Sequence, residues 1–242
     1  MDLEETAPAR PYLRVAALAG ASGFAVLAAV MWHSTRPMEW ERPIITAVDW
    51  IPLPFRDFWI AVFQPIAFTF TTIALGGAVA ARGRRRLALA GIIGCLGAVL
   101  AAQIVFKPLV DRVRTHVVGA HHHFVDVGGR MFPSAHVTAA AALATFALLI
   151  LGRRTRLTPF LIALPFVVGC AAISLELHYP ADILGGLLLG PTFVYFTVTA
   201  ARVGKHWGYG PHIAVSEGEA VANSPAIERP RGGYPASQRK SE

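Results

Sequence analysis

An all-α membrane protein, a bundle of six transmembrane helices, is the fold class this sequence predicts, and three observations predict it. Of its 242 residues 54% are apolar and only 15% are charged, far less charge than a soluble domain of this size carries. Apolar runs of about 20 residues recur along the chain, each long enough to cross a hydrocarbon core of about 30 Å at about 1.5 Å per residue. Arginine and lysine gather in short clusters flanking those runs. The net charge of +7 therefore reads as topology, and no nucleic-acid partner is expected. Cys95 and Cys170 fall inside apolar runs, where thiols act as small hydrophobes, so neither a disulfide framework nor a cysteine-ligated metal is expected.

Residues 1–12 form a short polar tail, 13–202 the six-helix domain and 203–242 a Gly-, Pro-, Ser- and Glu-rich tail expected to be disordered. Leu13 to Trp32 is the first span; its length, and the lack of a small-x-small cleavage pattern after Trp32, mark a retained helix. A loop from His33 to Asp57 follows, with a short interfacial helix over Ile44 to Ile51. The remaining spans are Phe58 to Ala81, Leu87 to Phe106, Pro133 to Leu151, Leu157 to Leu177 and Ala181 to Ala201. Pro65, Pro165 and Pro191 are expected to kink their helices, and Gly185, Gly186 and Gly190 to allow close packing.

Six spans put Arg10, Arg14, the Arg82 to Arg86 cluster, Arg153, Arg154, Arg156, Arg202 and Lys205 on one side, cytoplasmic by the positive-inside rule. Both termini then lie in the cytoplasm of a multi-pass plasma-membrane protein. Parity sends the junction between spans three and four and that between spans five and six to the same outer face, which gathers Lys107, Arg114, Ser134, His136, His178 and Asp182 there.

Lys107 and Arg114 are seven residues apart, about two helical turns, so both can project the same way. Such a pair can clamp a phosphate, or snorkel at the interface beside Asp111. Pro108 argues that the third span ends near Lys107 and that a short helix restarts after it. In FPSAH, Pro133 is expected in the first helical turn, leaving the N–H groups of Ser134, Ala135 and His136 for an anion at the positive end of the helix dipole. Ser134 can add a hydroxyl and His136 a proton; an ordinary serine cap is the alternative. In HYPAD, Tyr179 precedes a proline and is biased away from helix, so the sixth span starts at Pro180 with His178 just outside and Asp182 in its first turn. A carboxylate so close can accept the Nδ1 proton of His178 and leave Nε2 as a nucleophile; an interfacial hydrogen bond without chemical duty is the alternative. Consecutive histidines at 121 to 123 do not converge easily on one ion, so no metal is expected.

Together, Lys107 with Arg114, Pro133-Ser134-Ala135-His136, and His178 with Asp182 resemble the three-part signature of the type 2 phosphatidic acid phosphatase superfamily of lipid phosphate phosphatases, over roughly residues 58–201. The resemblance implies six spans, an active site at the outer face, no cofactor, and a lipid phosphate substrate met in the bilayer. The alanine- and arginine-rich composition suits a GC-rich bacterial genome, so polyprenyl phosphates of envelope synthesis join glycerolipid phosphates as candidates. By the same resemblance His178 attacks phosphorus to form a phosphohistidine and Asp182 orients it. His136 protonates the leaving oxygen and then helps to activate water. Lys107, Arg114, Ser134 and the backbone around Ala135 hold the equatorial oxygens. A neutral His178 and a charged His136 imply a bell-shaped pH profile. A phosphotransferase, and a degenerate member that binds lipid phosphate without turnover, are the alternatives.

The chain departs from the family pattern at Thr115 and Ala135, and more seriously at Ala171 and Ala172, where the third motif has serine and arginine. Losing one charge-assisted phosphate contact commonly costs about 2 to 4 kcal/mol, on the order of a hundredfold in rate. Arg112, Arg130 and the histidine run are candidate replacements. Glu176, four residues after Ala172 and expected on the same helical face, is a candidate to bind a substrate hydroxyl or amine. Gln103, one turn before Lys107, is expected to line the site or to bond between helices.

Overall fold

A computed structural model describes residues 11–34, 36–112, 129–152 and 155–201. The terminal tails, Arg114, Thr115 and His121 to His123 lie outside the described residues. Every element among those described is helical. Helix α1, Pro11–Met31, starts on a proline whose missing N–H is not needed there, and the chain turns out of it at His33, φ 54°. A 3-10 turn, Glu39–Glu41, leads into α2, Arg42–Val48, in the loop where a short helix is expected.

The expected second span is broken rather than kinked. Helices α3, Leu53–Val62, and α4, Pro65–Ala81, meet at a 54° bend. Gln64 is extended (φ −60°, ψ 149°), as a residue before proline prefers, and α4 starts afresh at Pro65. The third span is the reverse case. Helix α5, Arg85–Ala101, passes through a π-turn, Ala102–Phe106, into α6, Lys107–Val110, with no stop at Lys107. The π-turn widens the helix just before Pro108 and eases its ring past the preceding carbonyls, and the helix ends instead at Asp111, φ 49°.

Helix α7, Ala135–Leu151, is capped by Ser134, so Pro133 precedes the cap and is not in the first turn as expected. Helix α8, Thr158–Ser174, stops three residues short of the expected Leu177, because Glu176 takes a left-handed φ of 56°. Helix α9, Pro180–Ala200, begins where Tyr179 is expected to place it.

Helix α9 is the centre of the bundle, packed against α1, α5 and α7; α8 covers α7, α3 covers α8, and α4 covers α5. Its glycines permit this. A Cβ at Gly190 would lie 2.5 Å from the Thr138 carbonyl oxygen, and one at Gly186 would lie 2.9 Å from that of Ser134. Val137, Ala140, Phe146, Val168, Ala171, Ala172 and Val194 fill the core between these helices.

Pro11–Met31, Arg85–Val110 and Pro180–Ala200 are long and apolar enough to cross a membrane, α3 with α4 makes a fourth candidate if the bent pair is one span, and α7 and α8 are apolar helices of 17 residues. Such a chain is a membrane protein. One end of the bundle collects the chemistry: His33 N donates to Val110 O (2.9 Å), Met131 N to Arg112 O (2.8 Å) and Ser134 N to Asp182 O (3.0 Å). The start of α5 at Arg85 and the end of α7 at Leu151 lie at the other end.

Candidate functional site

The end of α6, the FPSAH turn and the HYPAD turn are far apart in sequence and meet in space. Ser134 is fully buried and caps α7, its Oγ accepting from Val137 N at 3.5 Å, while its carbonyl accepts from Thr138 N (2.9 Å) and Thr138 Oγ1 (2.8 Å). Its own N–H is engaged by the Asp182 carbonyl at 3.0 Å. The expected three-amide anion site is corrected accordingly: Ala135 and His136 supply the first-turn donors of α7, and Ser134 instead ties α7 to α9. His136 is the second residue of α7, and its Nδ1 is buried with no hydrogen-bond partner among the described residues. Lys107, the first residue of α6, is half-buried.

His178 is 7% exposed and its Nδ1 stands 3.6 Å from Asp182 Oδ2. That is an ion-pair approach, longer than a hydrogen bond. The short bonds of Asp182 go elsewhere, Oδ2 accepting from Tyr179 N (2.7 Å) and Oδ1 from the Arg112 guanidinium (2.8 Å).

Arg112 is fully buried and is not a loop cation waiting for phosphate. It donates to Asp182 and, at 2.8 Å, to Glu41 Oε2, and its guanidinium carbon lies 4.9 Å from the centre of the Tyr179 ring. Burial alone would lower its pKa, but Asp182 and Glu41 reverse this and hold it above its ordinary value. Glu41 is the residue that sequence reasoning missed. It is fully buried, its Oε2 also accepts from Met38 N (2.6 Å) and its Oε1 accepts from Ala181 N in the first turn of α9 (2.9 Å). Its contacts with Arg112 and Ala181 span 71 and 140 positions, so no local pattern announces it.

The other accessory candidates lie apart. Arg130 is exposed and donates to Asp111 at 2.8 Å. Gln103 is exposed within the π-turn, and Glu176 is exposed in the turn after α8, off the helical face of Ala172. Ala171 and Ala172 are fully buried in the core. The described cluster therefore offers two imidazoles, a lysine, a helix N-terminus and a carboxylate held by a buried ion network. This is a set able to bind an anion and to move a proton beside it.

Comparison with known proteins adds to this geometry. The model of the PAP2 superfamily matches residues 15–204. Two curated relatives, both decaprenylphosphoryl-5-phosphoribose phosphatase from Mycobacterium tuberculosis (strains CDC 1551 / Oshkosh and ATCC 25618 / H37Rv), are 38% identical over 122 residues, which is 50% of this chain and 64% of each relative. The matched segment thus spans less than two thirds of their length. A crystal structure of the first transmembrane PAP2 type phosphatidylglycerolphosphate phosphatase from Bacillus subtilis aligns with a TM-score of 0.62, covering 79% of this chain and 98% of that one at 19% identity. At that identity the likeness shows the fold.

Proposed function

The chain belongs to the PAP2 superfamily, and from that membership we propose that it is a membrane-embedded lipid phosphate phosphatase whose six spans carry the site at the outer face. The substrate is a phosphorylated polyprenyl lipid, a choice supported by the name of the Mycobacterium tuberculosis relatives. The observation that carries the proposal is that hydrogen bonds tie three distant segments together at one bundle end, Met131 N to Arg112 O (2.8 Å) and Ser134 N to Asp182 O (3.0 Å), which gathers the end of α6, the His136 turn and the His178 turn.

His178 Nε2 attacks phosphorus, and the bond from phosphorus to the lipid-side oxygen breaks. Protonated His136 gives its proton to that oxygen, while Asp182 favours the His178 tautomer with the proton on Nδ1. Water then attacks the phosphohistidine and passes a proton to His136, the phosphorus–nitrogen bond breaks, and inorganic phosphate leaves. Lys107, Ser134, the backbone at Ala135 and Arg114, which lies outside the described residues, hold the equatorial oxygens.

Purified protein in detergent, given polyprenyl and glycerolipid phosphates, is expected to release inorganic phosphate with a bell-shaped pH profile. His178→Ala is expected to lower release by at least about a thousandfold. Phosphate appearing on an added alcohol instead of in solution would assign the same phosphohistidine to a transferase. A second reading, binding without turnover, is favoured by one observation: Ala172 stands buried where the third motif has arginine, and Arg112 is engaged by two carboxylates. Saturable binding with no phosphate released between pH 5 and 8 would decide for it.

A further inference from the structure

Three charged side chains at the site end are completely buried together: Glu41, Arg112 and Asp182. Arg112 bridges the two carboxylates at 2.8 Å each, too close and too dry for screening to weaken. Among the described residues the other bonds to these carboxylates come from backbone N–H groups of Met38, Tyr179 and Ala181, so the network reaches from the loop after α1 to the first turn of α9. Asp182 Oδ2 is the atom of this network that approaches His178, at 3.6 Å. Its rotamer is fixed on one side by Tyr179 N and on the other by Arg112, and Arg112 is itself held by Glu41.

We infer that Glu41 and Arg112 are positioning residues of the proposed phosphatase site, aiming the Asp182 carboxylate at His178 and setting how much negative charge reaches the imidazole. Two carboxylates against one guanidinium leave one net negative charge beside His178. That charge favours the imidazolium and stabilises positive charge building on the ring as Nε2 attacks phosphorus. If Glu41 were neutral, the guanidinium would cancel Asp182, leaving His178 beside a neutral pair. Among the described residues, Tyr179 and Asp182 on its own turn and His136 at the start of α7 also face His178, and none of them changes with Glu41. Gluing the outer loop to the bundle is the purely structural role, and it predicts no change at His178.

The inference rests on the proposed function for its catalytic part, and the experiment separates the two. Glu41→Gln and wild-type protein, both 15N-labelled at histidine in detergent, are titrated by NMR, with the His178 signal assigned by its loss in His178→Asn. The His178 midpoint is expected to fall in Glu41→Gln, because the stabilising charge is gone. On a polyprenyl phosphate, kcat is expected to fall roughly ten- to a hundredfold with KM little changed, and the acidic limb of the pH profile to move to lower pH. An unchanged His178 midpoint in folded Glu41→Gln would overturn the inference, as would an unchanged kcat. A wild-type protein that turns over nothing would end the phosphatase proposal alone, since the NMR midpoint still decides the positioning role. A glutamine here turns its amide N–H toward at least one backbone or guanidinium donor, so the variant carries a folding risk. Should it not fold, Arg112→Lys takes its place, keeping the charge but too compact to bridge both carboxylates. Its kcat, or its His178 tautomer where nothing is turned over, is expected to change, and wild-type values would overturn the inference.

Discussion

Ala172 is the position at which the family pattern asks for arginine, and its surroundings say what an arginine would meet. The residue is fully buried beside Ala171, and its carbonyl already accepts from Leu177 N at 3.0 Å. A long cation there must overpack the core, at about 1 to 3 kcal/mol, and find a partner or add the larger cost of a buried unpaired charge. Ala172→Arg is therefore expected to lower the thermal unfolding midpoint in detergent and to reduce phosphate release. Faster release at unchanged stability would show that the side chain reaches the phosphate after all. The same residue scale separates what was legible from what was not. His178 and Asp182 are four apart around a Tyr-Pro pair, so their proximity is local and readable. Of the bonds that hold Asp182, the one from Tyr179 N is local, but the one from Arg112 comes from 70 positions away, and Arg112 is itself held by Glu41. One of two glutamates flanking Trp40 in an irregular loop, Glu41 has no period or spacing to mark it.

Proline behaves differently at each helix boundary, which is why the long apolar runs were legible but their breaks and ends were not. Apolar runs locate the long helices, because burial and lipid exposure both demand them. Yet Pro65 starts a new helix after a break, Pro108 sits inside a continuing helix behind a π-turn, and Pro133 precedes a serine cap. All three outcomes respect the same missing N–H and fixed φ, and the choice among them is made by neighbours that sequence does not show. The glycines of α9 were read correctly, since a close approach between helices leaves no room for a side chain. Gly186 and Gly77 make a test pair. A methyl at Gly186 meets the Ser134 carbonyl oxygen and Thr138 N, both at 2.9 Å and both backbone, so α7 and α9 must separate just where Ser134 N bonds Asp182 O. Gly186→Ala is expected to cost about 1 to 3 kcal/mol and to reduce phosphate release beyond what the stability loss explains. At Gly77 in α4 nothing lies within 4 Å, and Gly77→Ala is expected to leave activity unchanged and to stabilise by up to about 1 kcal/mol. Equal effects of the two substitutions in thermal melts and phosphate assays would remove the case for close α7–α9 packing.

At the scale of the whole molecule, the two ends of the bundle differ in charge. In the sequence, Arg36, Arg42 and Arg56 in the loop after α1 and at the start of α3 are offset by Glu39, Glu41, Asp49 and Asp57, whereas Arg82, Arg84, Arg85 and Arg86 around the start of α5 and Arg153, Arg154 and Arg156 after α7 have no acidic residue among them. The positive-inside rule thereby supports the proposal that the site faces outward. Helices α7 and α8 are the weak point of a six-span topology, because 17 residues reach only about 25 Å, short of a core about 30 Å thick. Local thinning or flanking residues must make up the difference, at a fraction of a kcal/mol per Å. Ser34, after α1, and Thr155, between α7 and α8, are separated by the bent α3–α4 pair, by α5 with α6, and by α7. Three crossings is an odd number, so the two positions must face opposite compartments if each of those units crosses. With Cys95→Ala and Cys170→Ala as background, Ser34→Cys is expected to react with a membrane-impermeant maleimide on intact cells, and Thr155→Cys only after the membrane is opened. The reverse pattern would turn the catalytic end to the cytoplasm. Labelling of both from outside would mean that one unit between them fails to cross, and the short α7 would be the first to suspect.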